Sequence, residues 1–262
     1  MLISVITPTY KRLNYIKKNF EQISLIQKKF KNIEWIIVIE EKDKSTIDFF
    51  KNRKKKFIKT VVGSFGSAEI AYERGIKKSK GKYLNLHGDD DFFHTEGFNS
   101  IDKNIFKKNF SWIVFDGVYI NNKFKIIRSS MSLIKTFLLK NYSLIDLSLV
   151  NYLMTPSVFI KKKIYLQVGG LGPIKRSGSD YILWMKLSKR YNPKIILKKI
   201  SFSMMSNKTI TGTFRFEKYI YLFKNMIKYN KLGLFGIVLI TASITITVIY
   251  NFIQKIFFLN KL

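Results

Sequence analysis

Within the first hundred residues, short runs rich in β-branched and other apolar side chains alternate with stretches whose apolar residues recur every three or four positions. Few folds satisfy both periods in turn. Ile3 to Thr7 is the first such run and stops at Pro8; Trp35-Ile36-Ile37-Val38-Ile39 is the second, Ile58 to Val62 the third, and Tyr83 to Leu86 the fourth. Runs apolar toward both sides suit strands buried on both faces of a parallel sheet. Between the first two, Leu13, Ile16, Phe20, Ile23 and Phe30 trace the stripe of an amphipathic helix. A short helix around Ile47 to Phe50, with Ser45 as N-cap, and a longer one from about Ser67 to Ser79, ended by Gly81, complete the alternation. Four βα units predict an α/β chain built on a doubly wound, mostly parallel sheet.

Beyond residue 100 the pattern loosens. Trp112 to Phe115, Phe124 to Ile127 and Pro156 to Ile160 read as strands. Leu133 to Lys140, Leu144 to Tyr152, Lys162 to Val168 and Ser179 to Arg190 read as helices, the third stopped by Gly169-Gly170. Residues 1–208 are therefore expected to form one domain, with a first half over 1–100 and a second over 101–208. Residues 214–262 read as a basic, aromatic helix feeding an apolar tail.

That tail holds 23 uncharged residues from Leu232 to Gln254, enough for one membrane span of about 20 residues. Arg215, Lys218, Lys224, Lys228 and Lys231 precede it, against Lys255 and Lys261 after it. The positive-inside bias then places the preceding domain on the cytoplasmic face of a membrane.

Composition narrows the chemistry. The chain of 262 residues has no cysteine and two histidines, which excludes thiol nucleophiles, Cys-zinc sites and an HExxH metalloprotease. With 47 Lys+Arg against 17 Asp+Glu, its formal charge is +30. Lysines outnumber arginines 40 to 7 and are scattered, unlike a surface that reads bases. Nucleic acid is not the expected partner; nucleotide diphosphates and anionic lipid head groups are.

Ligands of open α/β sheets gather at the carboxyl ends of the strands. Thr7-Pro8-Thr9-Tyr10-Lys11-Arg12 follows the first strand, Glu40-Glu41 the second, and Asp89-Asp90-Asp91 the fourth. Adjacent carboxylates repel, and a hard divalent ion such as Mg2+ or Mn2+ relieves that repulsion. A solvated acidic turn ahead of a helix near Thr95 is the alternative.

These residues carry a resemblance. Ser4-Val5-Ile6-Thr7-Pro8-Thr9-Tyr10-Lys11-Arg12 resembles the opening of family 2 glycosyltransferases of the GT-A fold, and Glu34-Trp35-Ile36-Ile37-Val38 resembles their second strand. Gly75-Ile76 followed by Ser79-Lys80-Gly81-Lys82-Tyr83-Leu84 is similar to the helix and strand before their DxD motif. Pro156-Ser157-Val158-Phe159-Ile160, Val168-Gly169-Gly170 and Ser179-Asp180-Tyr181-Ile182-Leu183-Trp184 resemble their acceptor-side half. The resemblance implies a nucleotide-sugar donor, a Mg2+ or Mn2+ cofactor, and inverting transfer to a glycan or lipid-linked acceptor, a cell-surface glycan precursor. It also implies that Thr7, Pro8 and Thr9, with Tyr10 and Arg12, line the nucleotide pocket. Glu40 falls at the family's base-contacting acid, Asp90 at the metal-binding end of DxD with Asp91 beside it, and Asp180 at the general base. Gly88 replaces the first carboxylate of that motif, so Asp89 takes over ribose or metal contact. Glu40-Glu41-Lys42-Asp43-Lys44-Ser45 departs from the usual Asp-Asp-Gly-Ser run, Glu73 replaces an asparagine, and no QxxRW motif occurs. A homologue that binds nucleotide sugar without turnover is the second reading.

Overall fold

The computed structural model describes residues 3–121, 123–127, 130–142, 147, 151–172, 178–204, 216–231, 233–242 and 245. Its first part follows the alternation read above. Strand β1 (Ile3–Thr9) leads to helix α1 (Leu13–Lys29), β2 (Ile33–Glu40), α2 (Lys44–Lys51), β3 (Ile58–Gly63), α3 (Ala68–Lys78) and β4 (Tyr83–Leu86). β1 pairs in parallel with β2 and β4, and β2 in parallel with β3. The apolar runs are buried because helices cover both faces of the sheet. Ile36, Val38 and Ile6 face one core layer, with Ile76 of α3. Trp35, Ile37 and Val5 face the other, with Ile16, Ile23 and Ile26 of α1. Ser67 caps α3 by accepting the Ile70 N–H. For α2 the cap is Asp43, which accepts the Thr46 N–H, and not Ser45. A short carboxylate at N-cap satisfies a free N–H and meets the positive end of the helix dipole.

The rest of the chain is β5 (Asp91–Phe93), α4 (Thr95–Asn99), β6 (Trp112–Ile120), α5 (Ser130–Lys140), β7 (Val158–Lys161), α6 (Lys162–Gln167), α7 (Ser179–Arg190), β8 (Lys194–Met204) and α8 (Phe216–Tyr229). All eight strands form one sheet in the order β3-β2-β1-β4-β7-β6-β8-β5. It is mixed: β7 runs antiparallel to β4 and β6, and β5 antiparallel to β8. β5 and β8 correct the sequence reading, which has no strand at either place. Phe124 to Ile127 is not a strand; Ile126 makes a single bridge to Ile120. The expected helix from Leu144 to Tyr152 lies mostly outside the described residues, and Asn151 to Met154 are not helical.

The sheet also curls. Only the turn Gly88–Asp90 and its flanks separate β4, fourth in the order, from β5, eighth. So short a link can join distant positions only if the far strands bend back toward β4. The bend is made where the β6–β8 register shifts on either side of Asp116. Such irregularities kink a ladder and increase its twist. Past it, Gly117 to Ile120 pair with Ser201 to Met204 and return toward the acid turn.

At the other end, α8 and residues 233–242, also helical, reach α7: Met226 and Ile240 pack with Tyr181, Ile182 and Met185. No helix among the described residues is long and apolar enough to cross a membrane. About half of the expected span from Leu232 to Gln254 lies outside those residues, since Leu232, 243–244 and 246–254 are not among them.

Candidate active site

The acid turn is held from beneath by buried polar groups that the sequence does not advertise. Asn19 of α1 is buried on the helix's core face; its Nδ2 donates to the Asp89 carbonyl at 3.0 Å. His87 Nε2 lies 3.1 Å from Asn19 Oδ1 and 3.0 Å from the Asp91 carbonyl. Both are acceptors, so Nε2 carries the proton. Burial lowers the His87 pKa to about 3, which keeps the ring neutral. His87 therefore braces the turn from the core. The only sequence sign of this role is a polar residue on an apolar helix stripe, Asn19 between Ile16 and Ile23.

The three aspartates fare differently. Asp91 is buried with both oxygens engaged, Oδ1 accepting from Ser203 at 2.7 Å and Oδ2 from the Gly88 N–H at 3.2 Å. Burial and the neighbouring Asp90 charge raise its pKa well above the ordinary carboxylate range. Asp91 thus ties β5 to the curled end of β8. Asp89 and Asp90 instead share one cation: Arg12 Nη1 lies 2.9 Å from Asp89 Oδ1 and 2.7 Å from Asp90 Oδ2. Burial pushes the Asp89 carboxyl up to about 6 against the opposing charge of Arg12.

The loop after β1 is built around this pair. Thr7 is buried, its Oγ1 accepting from Trp35 Nε1 at 2.9 Å; Thr9 is buried as well, Pro8 is half-buried and Tyr10 is exposed. Lys11 adopts φ of 55°, unusual for a side-chain-bearing residue, and its N–H donates to Asp43 Oδ2 at 2.7 Å. Asp43 thereby fixes the turn that aims Arg12 at the acids. Glu40 has backbone partners: it accepts the Phe65 N–H at 3.1 Å and the Gly66 N–H at 3.2 Å, holding the β3–α3 loop in place.

Asp180 opens α7 after Gly178, whose φ of 97° suits glycine. Its Oδ2 accepts from Thr155 Oγ1 at 2.8 Å and its Oδ1 from the Tyr181 N–H at 2.8 Å. Two bonds orient the carboxylate and leave further lone pairs free. Ser179 donates to Glu69 of α3 at 3.1 Å. Tyr72 lies one turn further along α3. Burial raises its pKa well above the usual phenol value, and the charges of Asp91, Asp89, Asp90 and Asp180 add to the effect. Tyr119 of β6 is raised by burial and by Asp91, Asp116 and Asp180. The fold therefore links Asp180, through Thr155 and the Pro156 carbonyl that accepts from Asn85 of β4, to the strand that leads into the acid turn, and Tyr72 and Tyr119, both missed from sequence, feel charges of both sites.

Among the described residues, no three His, Asp or Glu side chains are arranged to hold a metal ion alone. Asp89 and Asp90 offer two hard carboxylates aimed at one cation. A Mg2+ or Mn2+ ion shared with substrate phosphates needs one or two. The donor set fits a shared ion and not a closed protein cage.

The chain is similar to known proteins in both sequence and fold. Residues 4–164 match the family model described as glycosyl transferase family 2. A curated relative, an uncharacterized glycosyltransferase of Rickettsia bellii (strain RML369-C), is 30% identical over 212 residues, which is 77% of this chain and 30% of the relative. Among solved structures, S. aureus TarS 1-349 in complex with UDP-GlcNAc superposes with a TM-score of 0.66 at 16% identity, covering 87% of this chain and 66% of that one. A further crystal structure of S. aureus TarS 1-349 gives 0.66 at 15%, covering 93% and 71%. The chain thus spans less than a third of its curated relative and about two thirds of the first of these structures; the structural likeness establishes a GT-A-like fold. With the family model spanning the β1 loop, the acid turn and β7, the chain belongs to glycosyl transferase family 2.

Proposed function

We propose that this chain transfers a sugar, with inversion, from a nucleoside-diphosphate sugar to an acceptor hydroxyl of a glycan or lipid-linked precursor of the cell surface. One observation carries the reading: Asp180 and the Asp89–Asp90 turn are tied by short bonds, since Asp180 accepts from Thr155 at 2.8 Å and the adjoining Pro156 carbonyl accepts at 3.0 Å from Asn85 of β4, the strand that leads into the turn. A donor lying between them would have its diphosphate toward the acid turn and its reacting carbon toward Asp180. The binding of UDP-GlcNAc by TarS, a protein of similar fold, supports a nucleotide-sugar donor.

Thr7, Pro8, Thr9, Tyr10 and Arg12 would line the nucleotide side with Glu40, and Asp89 and Asp90 would face the ribose and diphosphate. A bound Mg2+ or Mn2+, held by Asp90 with Asp89 beside it, would supply neutralisation of charge on the leaving diphosphate. Asp91, turned to Ser203 and the Gly88 N–H, would hold the turn's shape. Asp180 takes the proton of the acceptor hydroxyl as its oxygen bonds to the anomeric carbon and the electron pair of the breaking bond passes to the β-phosphate oxygen. The protonated Tyr72 phenol can donate a hydrogen bond within the cleft. Attack from the Asp180 side, opposite the diphosphate, is what inverts the centre.

For location we propose the cytoplasmic membrane surface. Leu234, Phe235 and Val238 on the helical stretch 233–242 are 82%, 67% and 66% exposed, an apolar patch on a strongly basic chain. Sedimentation with anionic vesicles, abolished by Leu234→Ser with Phe235→Ser, tests it.

The test of function is calorimetric titration with UDP-GlcNAc and other nucleotide sugars, followed by donor turnover. Binding kept and turnover lost in Asp180→Asn supports transfer. Gly88, in place of a carboxylate, favours the second reading of a donor binder without turnover; donor binding with no turnover in the wild type would select it.

A further inference from the structure

Three features play no part in the proposed reaction: the cavity of about 450 Å3 between α3 and the Gly169–Gly172 loop, the buried Lys135–Asp116 pair, and the way Arg12 meets the acid turn. The last goes furthest. One guanidinium nitrogen, Nη1, bonds Asp89 and Asp90 together, at 2.9 and 2.7 Å. The point where it sits is the point from which a single cation would reach both carboxylates. Among the described residues, the other nitrogens of Arg12 make no hydrogen bond, so its Nε and Nη2 donors remain open to a diphosphate. The side chain is 36% exposed, so it can turn without unpacking the core. Its loop is fixed from behind through the Lys11 N–H and Asp43, which returns it to the same place.

We propose that Arg12 is the built-in counter-cation of the donor site. In the donor-free chain it occupies the position between Asp89 and Asp90, and a divalent ion reaches those carboxylates only in competition with it. A donor diphosphate, drawing the guanidinium to itself, frees the acids for the ion. Metal and donor binding are thereby coupled: each is weaker without the other. This inference rests on the donor-site reading above, and its test separates the two.

The experiment measures Mn2+ binding by electron paramagnetic resonance on the full chain without nucleotide, and UDP binding by calorimetry with and without Mn2+. Arg12→Gln is expected to bind Mn2+ at least about tenfold more tightly than the wild type, because a charge that excludes the ion is gone. In the same variant, metal-free UDP binding weakens and the coupling between UDP and Mn2+ shrinks. Arg12→Lys, which keeps a point charge, should stay near the wild type, and Lys163→Gln, which lowers net charge equally on α6, should change nothing. Adding Asp90→Asn to Arg12→Gln should remove the gain, which ties it to the acid pair. Arg12→Met serves if the glutamine variant misfolds. Equal Mn2+ affinity in wild type and both neutral variants, or no Mn2+ binding in any of them, overturns the inference. Failure of the wild type to bind any nucleotide or nucleotide sugar, with or without Mn2+, instead overturns the donor-site reading.

Discussion

Two ion-paired acidic sites lie on the same sheet and behave as opposites. At the β4 end, Arg12 meets Asp89 and Asp90 with the arginine side chain 36% exposed. At the bend of β6, Lys135 of α5 meets Asp116 at 2.6 Å with the two side chains 5% and 3% exposed. Lys135 Nζ also donates to the Gly117 carbonyl at 2.5 Å and lies 3.1 Å from Met154 Sδ, while Thr136 donates to Asp116 at 3.2 Å. Burial lowers the Lys135 pKa against the pull of Asp116. Both charges of the sealed pair are met inside the protein, at the bend that returns β6 and β8 to the site. The open pair borders the cleft, so its partners can be exchanged. Burial, and not charge, separates a structural pair from a usable one.

The largest expected effect breaks the sealed pair. Lys135→Met leaves buried Asp116 without its counter-charge, at a cost of about 3–5 kcal/mol in chemical denaturation. Adding Asp116→Leu should recover most of that loss. A double variant as unstable as the single one would mean that the bend needs the ions themselves. Next comes the cleft. Asp180→Asn should lower donor turnover by about 10²–10⁴-fold with little change in thermal midpoint, and an equal loss of stability would make Asp180 a helix cap instead.

A smaller effect concerns Asp43, a buried acid held by neutral donors. Burial alone would raise its pKa, but the bonds from Thr46, the Lys11 N–H and Ser45 outweigh it and leave it below 3.8. Its charged form therefore stabilises the fold above about pH 4, and the contribution is lost as pH falls through the depressed value. Asp43→Ala should cost about 1–2 kcal/mol at pH 7, and the gap to wild type should narrow below pH 4 in denaturant titrations. The smallest effect is at the open pair. Arg12→Gln should change stability by less than about 1 kcal/mol, so that its consequences appear in ligand binding alone. A loss as large as that of Lys135→Met would erase the distinction between the two sites.

The legible features were those that residue type and spacing determine. The first four strands, helices α1 and α3, the acid turn after β4 and Asp180 at the head of α7 all follow from short-range patterns. β8 did not: Lys198-Lys199 falls at its register shift and breaks the alternation, and its partners in β6 lie some eighty residues earlier in the chain. β5 did not either, because three residues carry no periodicity. The roles within the acid turn were equally hidden. Three consecutive aspartates look alike in sequence, yet Ser203 claims one and Arg12 the other two. Glu40 reads as a ligand contact by position, and its oxygens meet the Phe65 and Gly66 N–H groups.

The sequence by itself determined that this chain forms an α/β sheet of the family's kind, with carboxylates at its strand ends, because hydrophobic period and local residue chemistry are properties of neighbours in the chain. Only the tertiary structure decided that the sheet is mixed and curled, which aspartate faces in and which faces a guanidinium, and that Asp180 is joined through Thr155 and Pro156 to the strand leading into the acid turn. Those outcomes depend on which strands pair across long separations and on how deeply each charge is buried, and neither is written in any short stretch of residues.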